Sequence, residues 1–201
     1  MKKISLKPVI FMLIITVIYT SVLATINHVT SDKIKLNALV KQQRSFLYAL
    51  DIDMEGKDAE TISNLYNNHI SEIEVNGSTL YEAYIDENLV GYIIPIKGDA
   101  VWGELNALIA MSTDFQSLLG LDILSHSETP GLGGRIDELS FKEQFRNIAI
   151  NLGEDHNYIS YKPNPTGQVD SITGATGTSN ALKRILNENL YEFFQNVKEG
   201  L

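Results

Sequence analysis

Residues 170–179 read Asp170-Ser171-Ile172-Thr173-Gly174-Ala175-Thr176-Gly177-Thr178-Ser179. They stand directly before Leu182, Ile185, Leu186, Leu190, Phe193, Phe194 and Val197, whose spacing predicts an amphipathic helix that Thr178 or Ser179 is placed to cap. Small residues let a ligand approach the backbone. The amides of Gly177, Thr178 and Ser179 are then first-turn donors without helical acceptors, and the helix dipole adds partial positive charge, which together suit a phosphate. Thr176 presents a hydroxyl at the same place. These residues allow a phosphate held at the helix start and esterified to a neighbouring hydroxyl, but they require neither; a Thr/Ser-rich loop that only caps a helix has the same composition.

A second segment, His126-Ser127-Glu128-Thr129-Pro130-Gly131-Leu132-Gly133-Gly134, concentrates proline and glycine. Pro130 fixes one backbone angle, while the glycines permit positive φ and close approach, so the loop can lie against a flat ring or serve as a turn between elements. Other chemistry is poorly supported. Asp51-x-Asp53-x-Glu55-Gly56 imitates the start of a calcium loop, yet Ile62 stands at the twelfth position, where a bidentate glutamate is needed. The four histidines, His28, His69, His126 and His156, lack metal-ligand spacing, and no metal is expected. Cysteine is absent, which excludes disulfides, thiolate zinc sites and cysteine-ligated iron–sulfur clusters, so any redox role needs a borrowed cofactor. A net charge of −9 without a dense Lys/Arg stripe argues against nucleic acid as a partner.

The elements that position these residues begin at the N-terminus. Lys2, Lys3 and Lys7 precede 18 uncharged residues, Val9 to Ile26, long enough to span a bilayer. The preceding lysines favour a cytoplasmic N-terminus and an extracytoplasmic domain, with membrane lipid as the partner of residues 1–30, although Lys33, Lys35, Lys41 and Arg44 dilute the asymmetry. A cleaved signal peptide, with Val22 and Ala24 before the cut, is the competing expectation and exports the same domain. Residues 31–77 read as a helical linker: Leu36, Leu39, Val40, Phe46, Leu47 and Leu50 form one helical face, and Ile62, Leu65, Tyr66 and Ile70 suggest a short second helix. From residue 78 to 201 a folded domain follows. Leu80–Ile85 and Leu89–Ile96 read as one β-hairpin, with Pro95 near an edge or end, and Leu105–Met111 with Leu118–Ser125 as another. Phe145, Ile148 and Ala149 have helical spacing, and Tyr158 to Tyr161 suggests a short strand. The class is α+β, a mainly antiparallel sheet flanked by helices and preceded by one transmembrane helix.

The string ending at Thr176 matches Asp-x-x-Ser/Thr-Gly-Ala-Thr, and 128–133 matches Glu-Thr-Pro-Gly-Leu-Gly. Together, in this order, they resemble the FMN-binding subunits of two ion-pumping complexes, the C subunit of the sodium-translocating NADH:quinone reductase and the G subunit of the Rnf complex. The resemblance covers roughly Leu36 to Val197. It implies that a flavin transferase joins FMN covalently, through its phosphate, to Thr176, with Thr173 at the Ser/Thr position, Asp170 in transferase recognition, and Gly174, Ala175, Gly177 and Thr178 around the phosphate. Glu128 and Thr129 are expected to offer polar contacts to the flavin and Leu132 to cover an apolar face. Trp102-Gly103 resembles a segment of the C subunit, whereas the short length resembles the G subunit; the balance leans slightly to the C subunit. The implied function is an electron-carrying subunit among integral membrane partners in which no side chain acts as acid, base or nucleophile toward a substrate. A freestanding exported flavoprotein and a flavin-free anchored binding module are the rival expectations.

Overall fold

The computed structural model describes residues 6–153 and 156–201, so Lys2 and Lys3 lie outside the described residues. The chain divides into two compact units, Met1–Lys41 and Gln42–Leu201. A single helix, α1 (Lys7–Ala49), runs through the boundary. In the first unit its apolar side chains, from Val9 to Ile26 and on to Leu36 and Leu39, are exposed. It is the one helix among the described residues long and apolar enough to cross a membrane. Thr16, Thr25 and Thr30 donate their hydroxyls to the carbonyls of Met12, Ser21 and Ile26 at 2.8–2.9 Å. Those polar groups are thereby satisfied within the helix, as an apolar surrounding demands.

The second unit is built on a six-stranded antiparallel meander whose spatial order equals its chain order: β1 (Ile70–Val75), β2 (Ser78–Ile85), β3 (Asn88–Asp99), β4 (Glu104–Ser112), β5 (Ser117–Ser125) and the short β6 (Ile148–Ala149). Both predicted hairpins are present, as β2–β3 and β4–β5. Central strands are apolar on both faces because both faces are covered. On one side α4 (Thr176–Asn196) lays Leu182, Ile185, Leu186, Leu190 and Phe193 onto Ile94, Ile96, Leu105, Ala107 and Ile109. On the other, Phe46, Ala49 and Leu50 from the end of α1 pack on Ile93, Leu108 and Ala110. Phe46 meets Tyr66 of α2 (Ala59–His69) and Tyr81 edge-on, with centroids 5.3 and 4.6 Å apart. Residues 31–77, expected as a helical linker, therefore supply part of this core and the edge strand β1.

Pro95 lies in β3, opposite Leu108 in the middle of the sheet. Its tolerance has a local cause: the β2–β3 ladder ends at the Tyr81–Ile93 pair, so from Ile94 onward β3 is bonded to β4 alone. Asn189 of α4 closes the vacated edge. Its Nδ2 donates to the Lys97 carbonyl at 3.0 Å, and the Lys97 N–H donates to its Oδ1 at 3.5 Å.

Two expectations are corrected. The spacing read as helical over 141–149 resolves into α3 (Leu139–Lys142), a 3-10 turn at Glu143–Phe145 and β6, because Asn147 adopts φ +52°, outside the helical region, and Ile148 pairs with Leu118 of β5. Tyr158 to Tyr161 forms no sheet strand; Tyr161 makes an isolated bridge to Val169, and Gln168 takes up the Ser160 N–H and Tyr158 carbonyl instead. Arg146 anchors this region to the end of α1 by donating to the Tyr48 carbonyl at 2.8 Å. It also pairs with Glu143, which accepts the Tyr48 hydroxyl. Arg146 and then Tyr48, as hydrogen-bond donors, hold the Glu143 carboxyl below the usual carboxylate range. Burial first, and the Glu143 bond second, push the Tyr48 hydroxyl above its ordinary value.

Candidate functional site

The site forms where three segments meet: the β3–β4 turn, the loop after β5 and the start of α4. The helix begins earlier than its hydroxyl residues suggest. Its N-cap is Ala175, which makes no side-chain capping bond, and Thr176 is its first residue. Thr178 and Ser179, expected as caps, are buried inside the first turn and bond elsewhere. Thr178 Oγ1 donates to Glu128 Oε2, and Ser179 Oγ accepts the Ile172 N–H at 3.0 Å. The Ser179 N–H is consumed by the Ala175 carbonyl at 3.0 Å. The first-turn amides without a protein partner among the described residues are therefore those of Thr176, Gly177 and Thr178, one residue upstream of the expected set.

Thr176, Gly177, Thr173 and Gly174 are exposed, whereas Ala175 is buried. Gly174 turns the chain into the helix at φ +82°, and a β-carbon there would meet nothing within 4 Å, so glycine serves conformation at this position. Thr173 borders a shallow cleft shared with Arg135, Glu138 and Gln144. Asp170 projects to solvent, its carboxylate 3.4 Å from Lys162 Nζ, while its N–H donates to Gln144 Oε1 at 2.7 Å.

In the loop after β5, the Thr129 carbonyl accepts from Leu132 and Gly134 at 3.1 and 2.9 Å, and Gly131 turns at φ +74°. Thr129 is exposed, and Leu132 is 51% exposed. Glu128 is 4% exposed and its carboxylate is occupied internally. Oε1 accepts the successive N–H groups of Val101 and Trp102, both at 2.9 Å, and Oε2 accepts Thr178. Gly133 lies across this junction: a β-carbon on it would fall 2.3 Å from Thr178 Oγ1 and 2.6 Å from Glu128 Oε2. The sequence suggested a polar contact to a ligand; the structure makes Glu128 a link within the protein. A buried acid in a Pro/Gly loop has no local signature that separates these roles, because its partners lie 26–50 residues away.

The tip of the β3–β4 turn faces solvent. Trp102 is 68% exposed and Val101 49%, and Val101 lies 3.3 Å from where a Gly177 β-carbon would be. Exposed Val101, Trp102 and Leu132 thus stand on segments joined to the first turn of α4, where Thr176 and Gly177 are exposed and the amides of 176–178 have no protein partner among the described residues. An anionic group joined to a flat apolar ring fits this set of donors and apolar side chains. Among the described residues no group of three or more His, Asp or Glu is placed to hold a metal ion.

The site thus sets a phosphate-competent helix start near an exposed tryptophan, on an antiparallel meander covered by a C-terminal helix. Residues 101–191 match the model of the FMN-binding domain family. The chain is related to components of ion-translocating oxidoreductase complexes, as the two loop motifs imply. It is 29% identical over 180 residues to the G subunit of the ion-translocating oxidoreductase complex of Methanosarcina acetivorans, covering 88% of this chain and 87% of that protein. Against the C subunit of the Na(+)-translocating NADH-quinone reductase of Yersinia pestis, identity is 32% over 120 residues, 54% of this chain and 44% of the relative. The chain thus spans less than half of that relative's length. Its fold is shared with Shewanella oneidensis NqrC, with a TM-score of 0.68 at 15% identity over 79% of this chain and 97% of that one. The C subunit of the Na(+)-translocating NADH-quinone reductase of Parabacteroides distasonis has a TM-score of 0.66 at 23% identity, covering 80% and 93%.

Proposed function

We infer that the chain is an electron-carrying component of a membrane-bound ion-translocating oxidoreductase complex, holding FMN through a phosphoester on Thr176. The observation that carries this reading is the exposed Thr176 hydroxyl at the first position of α4, beside the partnerless amides of Thr176, Gly177 and Thr178. Those amides and the dipole of a 21-residue helix favour the remaining phosphate charge. FMN supplies the electron-transfer chemistry when bound. The protein's part is to bind and orient it: Thr176 by the ester, the amides by hydrogen bonds, and Trp102, Val101 and Leu132 by apolar contact. Thr173, Gly174 and Ala175 shape the approach for a flavin transferase, and exposed Asp170 is available for its recognition.

Helix α1 would anchor the domain in lipid beside integral membrane subunits, with the lysine-flanked N-terminus cytoplasmic and the FMN domain outside. Tethering raises the effective concentration of the flavin at its partners. The matched span, 87% of the Methanosarcina acetivorans relative against 44% of the Yersinia pestis relative, supports assignment to the G type over the C type that Trp102-Gly103 favoured. The test is coexpression with a competent transferase followed by denaturing electrophoresis. The wild-type band is expected to fluoresce as flavin and Thr176→Ala to be dark with an unchanged melting temperature. A fluorescent Thr176→Ala band would remove Thr176 as the attachment site, and a dark wild-type band would remove covalent FMN.

A further inference from the structure

Glu128 is a buried carboxylate that flavin attachment does not use, yet three donors converge on it. Two are the successive amides at the tip of the β3–β4 turn, Val101 and Trp102; the third is the Thr178 hydroxyl in the first turn of α4. The loop that carries Glu128 is itself fixed. Its N–H donates to His126 Nδ1 at 3.0 Å, and His126 Nε2 faces Asp137 Oδ2 at 3.0 Å. Gly133 covers the carboxylate so closely that not even a methyl group fits between. Within the turn, the Ala100 N–H is paired to the Gly103 carbonyl at 2.8 Å, which leaves the Val101 and Trp102 amides facing outward to Glu128.

We propose that Glu128 is the positioning residue of this site. Its carboxylate joins the β3–β4 turn to the start of α4 and so fixes the backbone that carries the Trp102 indole relative to Thr176. The reason is geometric. Trp102 is exposed and its side chain is not gripped by the core, so the backbone sets the point from which the indole projects and the region its rotamers can reach. The backbone is tied by charge-assisted bonds, which are stronger and more directional than neutral ones. A second tie at the base of the turn, Arg184 to the Asp99 carbonyl, holds the strand end and leaves the tip to Glu128.

The test has one arm that needs no flavin and one that rests on the FMN reading. In full-length chain in detergent, made flavin-free by Thr176→Ala, amide hydrogen exchange is followed at Val101 and Trp102, with Ile109 in β4 as the internal reference. Glu128→Ala is expected to speed exchange at 101 and 102 about tenfold or more, the loss of a hydrogen bond to a charged acceptor, with Ile109 little changed. Glu128→Gln keeps an oxygen for both amides and lets the Thr178 hydroxyl turn to accept, so it is expected to stay within about twofold of the parent. If Glu128→Ala does not fold, Thr178→Val removes only the Oε2 arm and is expected to speed the same amides about threefold or more. Unchanged exchange at 101 and 102, or acceleration equal to that of Ile109, overturns the proposal.

In the flavin-loaded chain, Trp102 is the single tryptophan and its emission reports its distance from the flavin. At matched flavin content, Glu128→Ala should restore emission and Glu128→Gln should not. Emission unchanged by Glu128→Ala overturns the positioning role. A chain that accepts no flavin overturns the attachment reading and leaves the exchange arm to judge Glu128 by itself.

Discussion

Replacing Gly133 by alanine should destabilise the domain through one identifiable collision. Gly133 does not adopt a positive φ, so alanine meets no backbone penalty there. Its new methyl would fall 2.3 Å from Thr178 Oγ1, 2.6 Å from Glu128 Oε2 and 3.1 Å from Glu128 Cβ, all on side chains that are buried and bonded to each other. Overpacking a close-packed interior costs roughly 1–3 kcal/mol. Separating Thr178 from a charged acceptor adds about 1.5–3 kcal/mol where the bond is lost outright. Because relieving one effect worsens the other, the expected total is about 2–4 kcal/mol, a fall in Tm of roughly 5–15 °C for a folded unit of this size. The assay is thermal unfolding of the full chain in detergent by circular dichroism, for Gly133→Ala, Thr178→Ala and the double variant. Thr178→Ala removes the nearest clashing atom, so the double variant should be more stable than the sum of the single effects requires. Two results would refute the reasoning: a Gly133→Ala melt indistinguishable from wild type, or strict additivity in the cycle. Gly131→Ala is the internal control, because a β-carbon there meets nothing within 4 Å and its φ of +74° is the only penalty, about 1–2 kcal/mol.

Two further outcomes are expected beyond the attachment and positioning tests. The Glu143 carboxyl is depressed by Arg146 and Tyr48, so the stability it contributes is present above the unfolded carboxylate pKa of about 4.3 and is lost as pH falls through the folded value. Melting temperatures measured from pH 6 downward should accordingly drop less steeply in Glu143→Gln than in wild type once pH passes below about 4.3; parallel curves would contradict this. Asn189→Leu should expose the vacated edge of β3, destabilising by about 1–2 kcal/mol and accelerating exchange of the Lys97 amide, with urea unfolding and hydrogen exchange as the measurements.

The two hairpins were legible because Leu80–Ile85, Leu89–Ile96, Leu105–Met111 and Leu118–Ser125 are apolar runs broken by short polar turns, and neighbouring strands in a meander need only local information. The C-terminal helix was legible for the same reason, through the 3.6-residue stripe from Leu182 to Phe193. Its first residue was not, because hydroxyl residues at 178 and 179 resemble caps while their partners, Glu128 and the Ile172 amide, are set by the tertiary structure. β1 was missed because its burial pattern places only Ile70 fully inside, leaving Glu72 and Glu74 on an edge strand with weak alternation. Pro95 was expected near an edge or end; it lies instead within the third of six strands, where β3 has no bonded neighbour on the β2 side and Asn189 fills the gap. The Thr176 neighbourhood was legible as a donor-rich helix start. The role of Glu128 was not, since it is defined by Val101, Trp102 and Thr178 together.

The meander order of the sheet has a temporal meaning. Each strand bonds to the one made just before or after it, so the sheet can assemble progressively as the chain is synthesised from its N-terminus. Helix α4 comes last, and its apolar face needs β3 and β4 already side by side. The first turn of that helix takes its shape only when Thr178 has found Glu128 and Ser179 has received the Ile172 amide. An enzyme that recognised Thr176 in this geometry, as the proposed attachment requires, would therefore be reading a finished domain.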